Sequence, residues 1–251
     1  MPAGQPWVLR TMARSAPHGL AEVTESTRFK WHGIDLTPHE DELWRGLSSM
    51  VRRGIRKAEK EGVKIANAES RDQLREWFLL HLRLRKSKFH LLAQPYEFFL
   101  NIWDTFVEKG DGFLSLASAD GRLIAGTLYL VWKDTCYYKF NASSPDSLLL
   151  RPNNLLMWHG MREAKRRGLR LLDLGRTNAA QEGLLTFKRG FGAVEEDLLA
   201  LTFEKSPAAA WEDPAAEARE LLQNISGTLA GPTVPDDITE KAGLLLYRYF
   251  T

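Results

Sequence analysis

Asp173, Arg176 and Lys188 are the residues whose types and order best suit chemistry on a charged substrate. Asp173 and Arg176 end the short apolar segment LRLLDLGRT, and Lys188 lies in the later segment FKRGFG. Ligands tend to bind where strands of an open sheet reach their C-terminal ends. Asp173 is therefore a candidate for positioning an attacking amine or accepting its proton, and Lys188 for neutralising a phosphate or polarising a carbonyl. In the structural alternative, Asp173 and Arg176 pair with each other or cap the next helix.

Tyr137 and Tyr138 lie in a predicted antiparallel meander, which the alternating runs between Phe113 and Ala142 indicate. Adjacent strand residues face opposite sides, so whichever tyrosine faces a cleft is a candidate proton donor to a leaving thiolate or alkoxide. Core packing is the alternative for both rings. Gly126 interrupts the middle strand, which indicates a bulge, a close ligand, or a packing glycine beneath an aromatic ring.

A basic helix is the third candidate feature. Seven basic and two acidic residues lie between Arg45 and Lys64, and Arg52, Arg56 and Lys60 follow one another at i, i+4 spacing. Such a face suits an anionic substrate tail, such as a pyrophosphate, a nucleotide or a tRNA backbone. A solvated helix face is the alternative.

Composition excludes several classes of protein. The formal charge of the 251 residues is only +2, which argues against a general polyanion-binding surface. The single cysteine, Cys136, allows no internal disulfide, and no histidine or carboxylate spacing suggests a metal site. Phosphate-loop, dinucleotide and serine-hydrolase motifs are missing. One cysteine suits a reducing compartment, so we expect a cytoplasmic protein. It would meet a membrane only at the surface, because no apolar run reaches the roughly 18 residues of a spanning helix.

The predicted elements form a mixed α/β domain with an open sheet. A helix is predicted from the cap Thr37, with Pro38 and Glu40 completing the signal, to about Glu61. Further predicted elements are a strand over RFKWHGIDL, helices from Ser70, over 96–108 and over 153–168, a strand over LRLLDLG, a short helix over QEGLLTFKRGFG and a strand over EDLLALTFEK. The first 25 residues are predicted to begin as a mobile arm, and the closing run GLLLYRYF is predicted to return to the core as a strand or helix.

Five ordered fragments carry a family resemblance: RRGIRKAEKEGVKI, RLIAGTLYLV, YYKFNASS, LRPNNLLMWHGMREAKRRGLRLLDLGRT and GLLTFKRGFGA. Over about residues 30–204 the chain resembles GNAT-like acyltransferases related to the Fem peptidoglycan aminoacyltransferases and to acyltransferases encoded with cellulose and exopolysaccharide genes. The resemblance implies a GNAT fold, a mostly antiparallel open sheet flanked by helices. In that fold a splayed sheet holds an acyl donor, and the acceptor attacks it without a covalent enzyme intermediate.

The resemblance also implies a division of the chain. Residues 1–67 are expected to hold the N-terminal arm and the remnant of a first GNAT-like unit, residues 68–204 the acyltransferase domain, and residues 205–251 a peripheral C-terminal segment. Fem relatives carry two such units. Either the first unit is reduced here, or the chain is a fragment of a longer one.

By position, the resemblance places Asp173, Arg176 and Lys188 beside the acyl-transfer site and Arg151 with Asn154 at the donor. The segment RPNNLLMW departs from the usual acetyl-CoA signature because it has no spaced glycines, which leaves Asn153 and the helix N-terminus as candidates for receiving an anion. The candidate catalytic residues are Asp173, Tyr137, Tyr138 and Lys188, and the candidate binding residues are Arg52, Arg56, Lys60, Asn141, Arg151, Asn153, Asn154, Arg176 and Arg189.

The expected function is transfer of an acyl or aminoacyl group from a thioester or ester to an amine or hydroxyl of a cell-envelope precursor or polysaccharide. No permanently bound cofactor and no metal are expected; acyl-CoA, an acyl carrier or aminoacyl-tRNA is the expected co-substrate, and tRNA a candidate partner. The alternative is a GNAT-like binding or scaffold domain without catalysis.

Overall fold

A sheet of eight strands organises the computed structural model, which describes residues 7–16, 23–203 and 216–249. The strand order is β1-β8-β2-β7-β6-β5-β4-β3, and β6 with β7 is the one parallel pair among them. This arrangement confirms the predicted mixed, mostly antiparallel open sheet. The strands are β1 (Trp7–Met12), β2 (Val23–Asp35), β3 (Lys64–Asn67), β4 (Gly112–Ala119), β5 (Arg122–Trp132), β6 (Thr135–Ser143), β7 (Leu171–Asn178) and β8 (Val194–Phe203).

Helices flank both sides of the sheet. They are α1 (Glu40–Gly46), α2 (Ser49–Lys60), α3 (Arg71–Phe89), α4 (Tyr96–Ile102), α5 (Pro152–Arg166), α6 (Glu182–Gly190), α7 (Ala216–Leu229) and α8 (Asp236–Leu246). Ile55 of α2 and Leu156 of α5 share one apolar core with Leu172 of β7, whereas Trp77 of α3 and Phe99 of α4 share another with strand residues of β4 to β6. We call the two sides of the sheet the α5 face and the α3 face.

The predicted helix from Thr37 to about Glu61 is wrong in two respects. Its N-cap is His39, whose backbone N–H donates to Glu42 in a capping box two residues later than predicted. The chain then breaks into α1 and α2, because Leu47 is extended and the Ser48 hydroxyl accepts from the Val51 N–H to start a new helix. A serine inside a helical pattern thus acts as a cap.

The prediction that the first 25 residues begin as a mobile arm is also wrong for residues 7–12, which the structure describes. Residues Trp7–Met12 form β1, which pairs antiparallel with β8. The strand was missed because its partner lies far away in sequence and a six-residue strand carries little pattern of its own. Residues 1–6, 17–22, 204–215 and 250–251 lie outside the described residues, so the rest of the arm and part of the predicted peripheral segment stay predictions.

Several other predicted elements are confirmed, but the helix predicted over 96–108 is α-helical only to Ile102 and continues as a π-helical turn, and β3 and α7 were not predicted. The meander forms β4, β5 and β6, and helices begin after the caps at Ser70 and Arg151. The closing run forms the end of α8 and a short 3-10 turn, but its predicted return to the core is wrong for most of the run, since Leu244 and Leu245 are 50% and 64% exposed. Ion pairs from Arg75 to Glu240 and from Lys86 to Asp236 hold α8 against α3. In the part of the chain that the structure describes, we find no helix with the length and apolar character that crossing a bilayer requires.

Gly126 is a packing glycine, one of the interpretations that the sequence left open. A β-carbon on this residue would lie 2.4 Å from Trp77 Cδ1 and 3.0 Å from Leu116 Cδ2. Because the Trp77 ring of α3 lies directly on the glycine, α3 can approach the middle of the sheet closely.

We expect Gly126→Ala to lower the free energy of unfolding by about 1–3 kcal/mol, because the added methyl overpacks the contact with Trp77. Chemical denaturation followed by circular dichroism measures the change. Gly183→Ala is the matched control, since a β-carbon there meets nothing within 4 Å and an alanine favours helix α6. Equal stability of the two variants would contradict the packing role of Gly126.

Candidate active site

The candidate site is a gap between β6 and β7. These strands pair over three residue pairs only, Thr135 with Leu171, Cys136 with Leu172 and Tyr137 with Asp173. Beyond that point β6 continues beside β5 as far as Ser143, and β7 continues beside β2 as far as Asn178. Backbone groups that face the gap therefore have no strand partner on that side. They can pair with an extended ligand, and the N–H groups among them can donate to a developing oxyanion.

Asp173 and Tyr137 lie side by side at the narrow end of the gap, in its last residue pair. Both lie on the α3 face, because their neighbours Leu172 and Cys136 belong to the core on the α5 face. One carboxylate oxygen of Asp173, Oδ1, accepts from the Gly175 N–H at 2.6 Å. No hydrogen bond of the described residues engages its Oδ2, so that oxygen remains available to a substrate amine.

Tyr138 points the other way, onto the α5 face. Its ring meets that of Tyr129 edge-on, with 5.7 Å between the centroids, and burial raises the pKa of its hydroxyl. Of the two candidate tyrosines, Tyr137 is the one that shares a face with Asp173.

A bulge in β7 follows directly after Asp173. Leu174 and Gly175 together oppose the single residue His32 of β2, and Gly175 takes a φ of +67°, in the left-handed region that glycine favours. The Gly175 N–H that bonds to Asp173 belongs to this bulge. Its geometry therefore holds the Asp173 carboxylate in place.

Lys188 of α6 supports the bulge from the α5 face. Its Nζ donates to Leu174 O at 2.6 Å, to Gly175 O at 3.0 Å and to Thr177 Oγ1 at 2.7 Å, which uses all three donors. The side chain is 4% exposed, and burial lowers the pKa of its amine to about 8. The ammonium thus stabilises β7 from within instead of facing solvent.

Arg189 lies near Lys188 but pairs elsewhere. Its guanidinium donates to Glu195 Oε2 at 2.7 Å, and the same oxygen lies 3.1 Å from Nε2 of the buried His32. Burial, with a further effect of the Lys188 charge, lowers the pKa of His32. This group lies on the α5 face, across the sheet from Asp173.

Asn141 and Asn153 join the β6 side of the gap to the first turn of α5. The Asn141 amide donates to Thr127 Oγ1 at 2.8 Å and to Asn153 Oδ1 at 3.3 Å, and Asn153 donates to Ser143 Oγ at 3.3 Å. These two predicted binding residues therefore lie together where the gap is wide.

The other predicted residues near α5 have different places. Arg151 is exposed at the N-cap of α5, where its backbone adopts the left-handed conformation with a φ of +59°. The Asn154 side-chain amide packs against Gly54 of α2. Asn154 thus serves the contact between the two helices.

The predicted basic face of α2 is partly used within the protein. Arg52 donates to the carbonyls of Leu47 at 2.6 Å and Arg45 at 3.0 Å, at the end of α1. The Arg56 guanidinium lies over the Trp44 ring, while Lys60 is exposed. No contact among the described residues connects these three cations with the gap.

Trp31, Phe29 and His32 were not predicted as site residues, although the segment that contains them was predicted as a strand. Trp31 pairs with Arg176, and Gly33 pairs with Asp173, so β2 brings Trp31 beside the candidate base. The sequence offered one signal, an aromatic residue two positions before a glycine, but not the pairing that makes it relevant.

Metal and thiol chemistry find no support in the described residues. They contain no group of three or more His, Cys, Asp or Glu side chains that could hold a metal ion. Cys136 is fully buried, and burial raises the pKa of its thiol to about 12, as expected of a strand residue in the core.

Lys188 makes stability depend on pH in a defined direction. Between about pH 8, where the folded amine loses its proton, and its ordinary value of 10.5, the unfolded chain binds more protons. The free energy of unfolding of the wild type should therefore rise with pH in this window relative to that of Lys188→Met. Urea denaturation across the window measures the slope, with the exposed substitution Lys57→Met as control; parallel slopes for wild type and Lys188→Met would contradict a buried ammonium.

Comparisons with known proteins agree with this architecture. Among solved structures, FemX is similar with a TM-score of 0.59 at 17% identity, over 68% of this chain and 61% of that one. L-PGS from Bacillus licheniformis has a TM-score of 0.53 at 13% identity, over 83% and 69%. A tandem GNAT protein from the clavulanic acid biosynthesis pathway has a TM-score of 0.53 at 13% identity, over 81% and 65%.

At these identities the likeness concerns the fold, and the aligned part spans about three fifths of the FemX structure. Curated protein sequences gave no significant match. A family model described as the acetyltransferase (GNAT) domain matches residues 46–189, more than half of the chain, and these residues include both walls of the gap. The chain therefore belongs to the GNAT acetyltransferase domain family.

Proposed function

We propose that this protein transfers an acyl or aminoacyl group from a thioester or ester to an amine or hydroxyl of a cell-envelope precursor or polysaccharide. The observation that carries the proposal is the gap between β6 and β7 with Asp173 and Tyr137 at its narrow end. Such a gap can hold the reactive carbonyl from two sides, and the acceptor then needs only a proton acceptor within reach.

The reaction needs one bond to form and one to break. The neutral acceptor, an amine in the simplest case, attacks the carbonyl carbon, and backbone N–H groups at the edge of the gap stabilise the oxyanion. Asp173 Oδ2 takes the proton of the attacking nitrogen. When the carbon–sulfur or carbon–oxygen bond breaks, the leaving thiolate or alkoxide takes a proton from the Tyr137 hydroxyl, which solvent then replaces.

The first turn of α5 bears on the choice of donor. Pro152 has no N–H, and the Asn154 N–H bonds to Arg151 O at 3.1 Å, so Asn153 contributes the remaining N–H of this turn. A coenzyme A pyrophosphate would meet few backbone donors here. This favours an acyl carrier or aminoacyl-tRNA, whose phosphates would be bound by side chains such as Arg151.

Donor assays on the purified chain test the proposal. The assays combine amine and hydroxyl acceptors with four kinds of donor: acetyl-CoA, longer acyl-CoAs, acylated acyl carrier protein and aminoacyl-tRNA. They measure both the release of the free carrier from the donor and the formation of acylated product. We expect Asp173→Asn and Tyr137→Phe each to lower kcat/KM by about 10²–10⁴-fold with an unchanged melting temperature.

Asp120→Asn is the matched control, because Asn-Gly suits the turn between β4 and β5 and the residue lies outside the site. Full activity of Asp173→Asn would remove Asp173 from the mechanism. If the wild type neither hydrolyses nor transfers from any of these donors, the transferase proposal is wrong and a binding domain is the better description.

A further inference from the structure

We infer that Trp31, Asp173 and Arg176 form an acceptor subsite for a primary amine that carries an anionic group a few atoms away. The inference rests on the proposed function, because it assigns the acceptor of the same gap. It adds residues of β2, which precedes the part of the chain that the family model matches.

The indole of Trp31 forms the floor of this subsite. Its Cζ2 and Cη2 atoms lie 2.8 and 2.2 Å from where a β-carbon of Gly33 would be, so the six-membered ring occupies the space beside the glycine. Gly33 is the strand partner of Asp173, and Tyr137 is the partner of Asp173 on its other side. The carboxylate therefore lies between an indole and a phenol on one face of the sheet.

Arg176 supplies a positive charge on the same face. It is the strand partner of Trp31, and its guanidinium lies over the Phe29 ring at 4.7 Å, a contact that orients the side chain. Arg176 is exposed and makes no ion pair or hydrogen bond within the described residues. The pairing of Asp173 with Arg176 that the sequence left open as a structural alternative does not occur.

The two charged residues lie close together along β7, and the Arg176 guanidinium extends toward Phe29, on the side away from Asp173. Their strand partners, Gly33 and Trp31, are two residues apart in β2, which places the Asp173 and Arg176 backbones roughly 7 Å apart. An acceptor that bridges them has an ammonium at Asp173 and a carboxylate or phosphate at Arg176, which can bind it through two hydrogen bonds. The indole between them favours the cationic end.

A neutral acceptor fits these charges less well. A hydroxyl or a simple alkylamine would leave the Arg176 guanidinium without an anionic partner, whereas the zwitterion matches both charges at once. The free Oδ2 of Asp173 can accept a hydrogen bond from this ammonium. The ammonium loses one proton to solvent before it attacks, and Oδ2 takes the second proton as the nitrogen bonds to the carbonyl carbon.

The inference is tested by measuring how tightly pairs of amines, with and without an anionic tail, bind to the protein. Isothermal titration calorimetry measures this binding in the absence of an acyl donor. The probes are β-alanine, 4-aminobutyrate and phosphoethanolamine, each compared with a neutral-tailed amine of the same length, such as propylamine or butylamine. We expect the wild type to bind the anionic amines at least about tenfold more tightly than their counterparts. The carboxylate and phosphate arms identify which anion Arg176 prefers.

Variants then assign the preference to residues. Arg176→Gln should abolish the preference for the anionic tail while leaving propylamine binding within about twofold, and Asp173→Asn should weaken both classes of amine. Trp31→Leu should weaken amine binding, and Trp31→Phe should restore most of it, because a phenyl ring still offers an aromatic face. Lys57→Met, on the exposed face of α2, is the control.

The outcomes separate this inference from the proposed function. Acyl transfer by a wild type that does not prefer anionic amines, or a preference that survives Arg176→Gln, would overturn the inference and leave the transferase proposal intact. Arg176-dependent binding in a chain that transfers from no donor would support the subsite and overturn the transferase proposal.

Discussion

The separation of β6 from β7 after three residue pairs is the constraint on which the rest of the site depends. A sheet that stayed closed would use its backbone donors and acceptors in strand pairing and would leave no place for a reactive carbonyl. Because the strands part, each wall of the gap needs support from elsewhere. The β6 wall is tied to β5 and, through Asn141 and Asn153, to α5.

The β7 wall has a different support. It is paired with β2 on one side and held at its bulge by Lys188, whose buried ammonium binds two carbonyls that a regular strand would use in its ladder. The bulge in turn orients Asp173 through the Gly175 N–H. The Lys188 ammonium on one face of the sheet thus helps to position the Asp173 carboxylate on the other face. The two side chains act together through the bulge, although no hydrogen bond joins them directly.

Sequence patterns predicted much of the fold and part of the site. The meander, the Ser70 cap and the glycine after α5 follow from local periodicity and capping chemistry, which depend on a few neighbouring residues. Asp173 was placed beside the acyl-transfer site through the family resemblance, whereas Tyr137 was one of two candidate proton donors on a predicted strand. The choice of Tyr137 over Tyr138 needed the strand pairing, since alternation alone says only that the two face opposite sides.

Other features depend on distant contacts that no local pattern encodes. Charge spacing on α2 could not show that Arg52 turns into the carbonyls at the end of α1. The sequence Lys-Arg-Gly does not indicate whether its lysine is exposed or buried, and Lys188 is buried. The register of β2 against β7, which brings Trp31 to the candidate base, joins segments that lie about 140 residues apart in the sequence.

That long-range pairing of β2 also has a consequence for how the protein is made. A ribosome releases β2 early, but its partners β7 and β8 begin only at Leu171 and Val194. The meander can form while synthesis continues, because its contacts are local, whereas β2 has no strand partner until β7 and β8 are synthesised. The candidate site is therefore completed late in folding, when β2 docks against strands that are synthesised long after it.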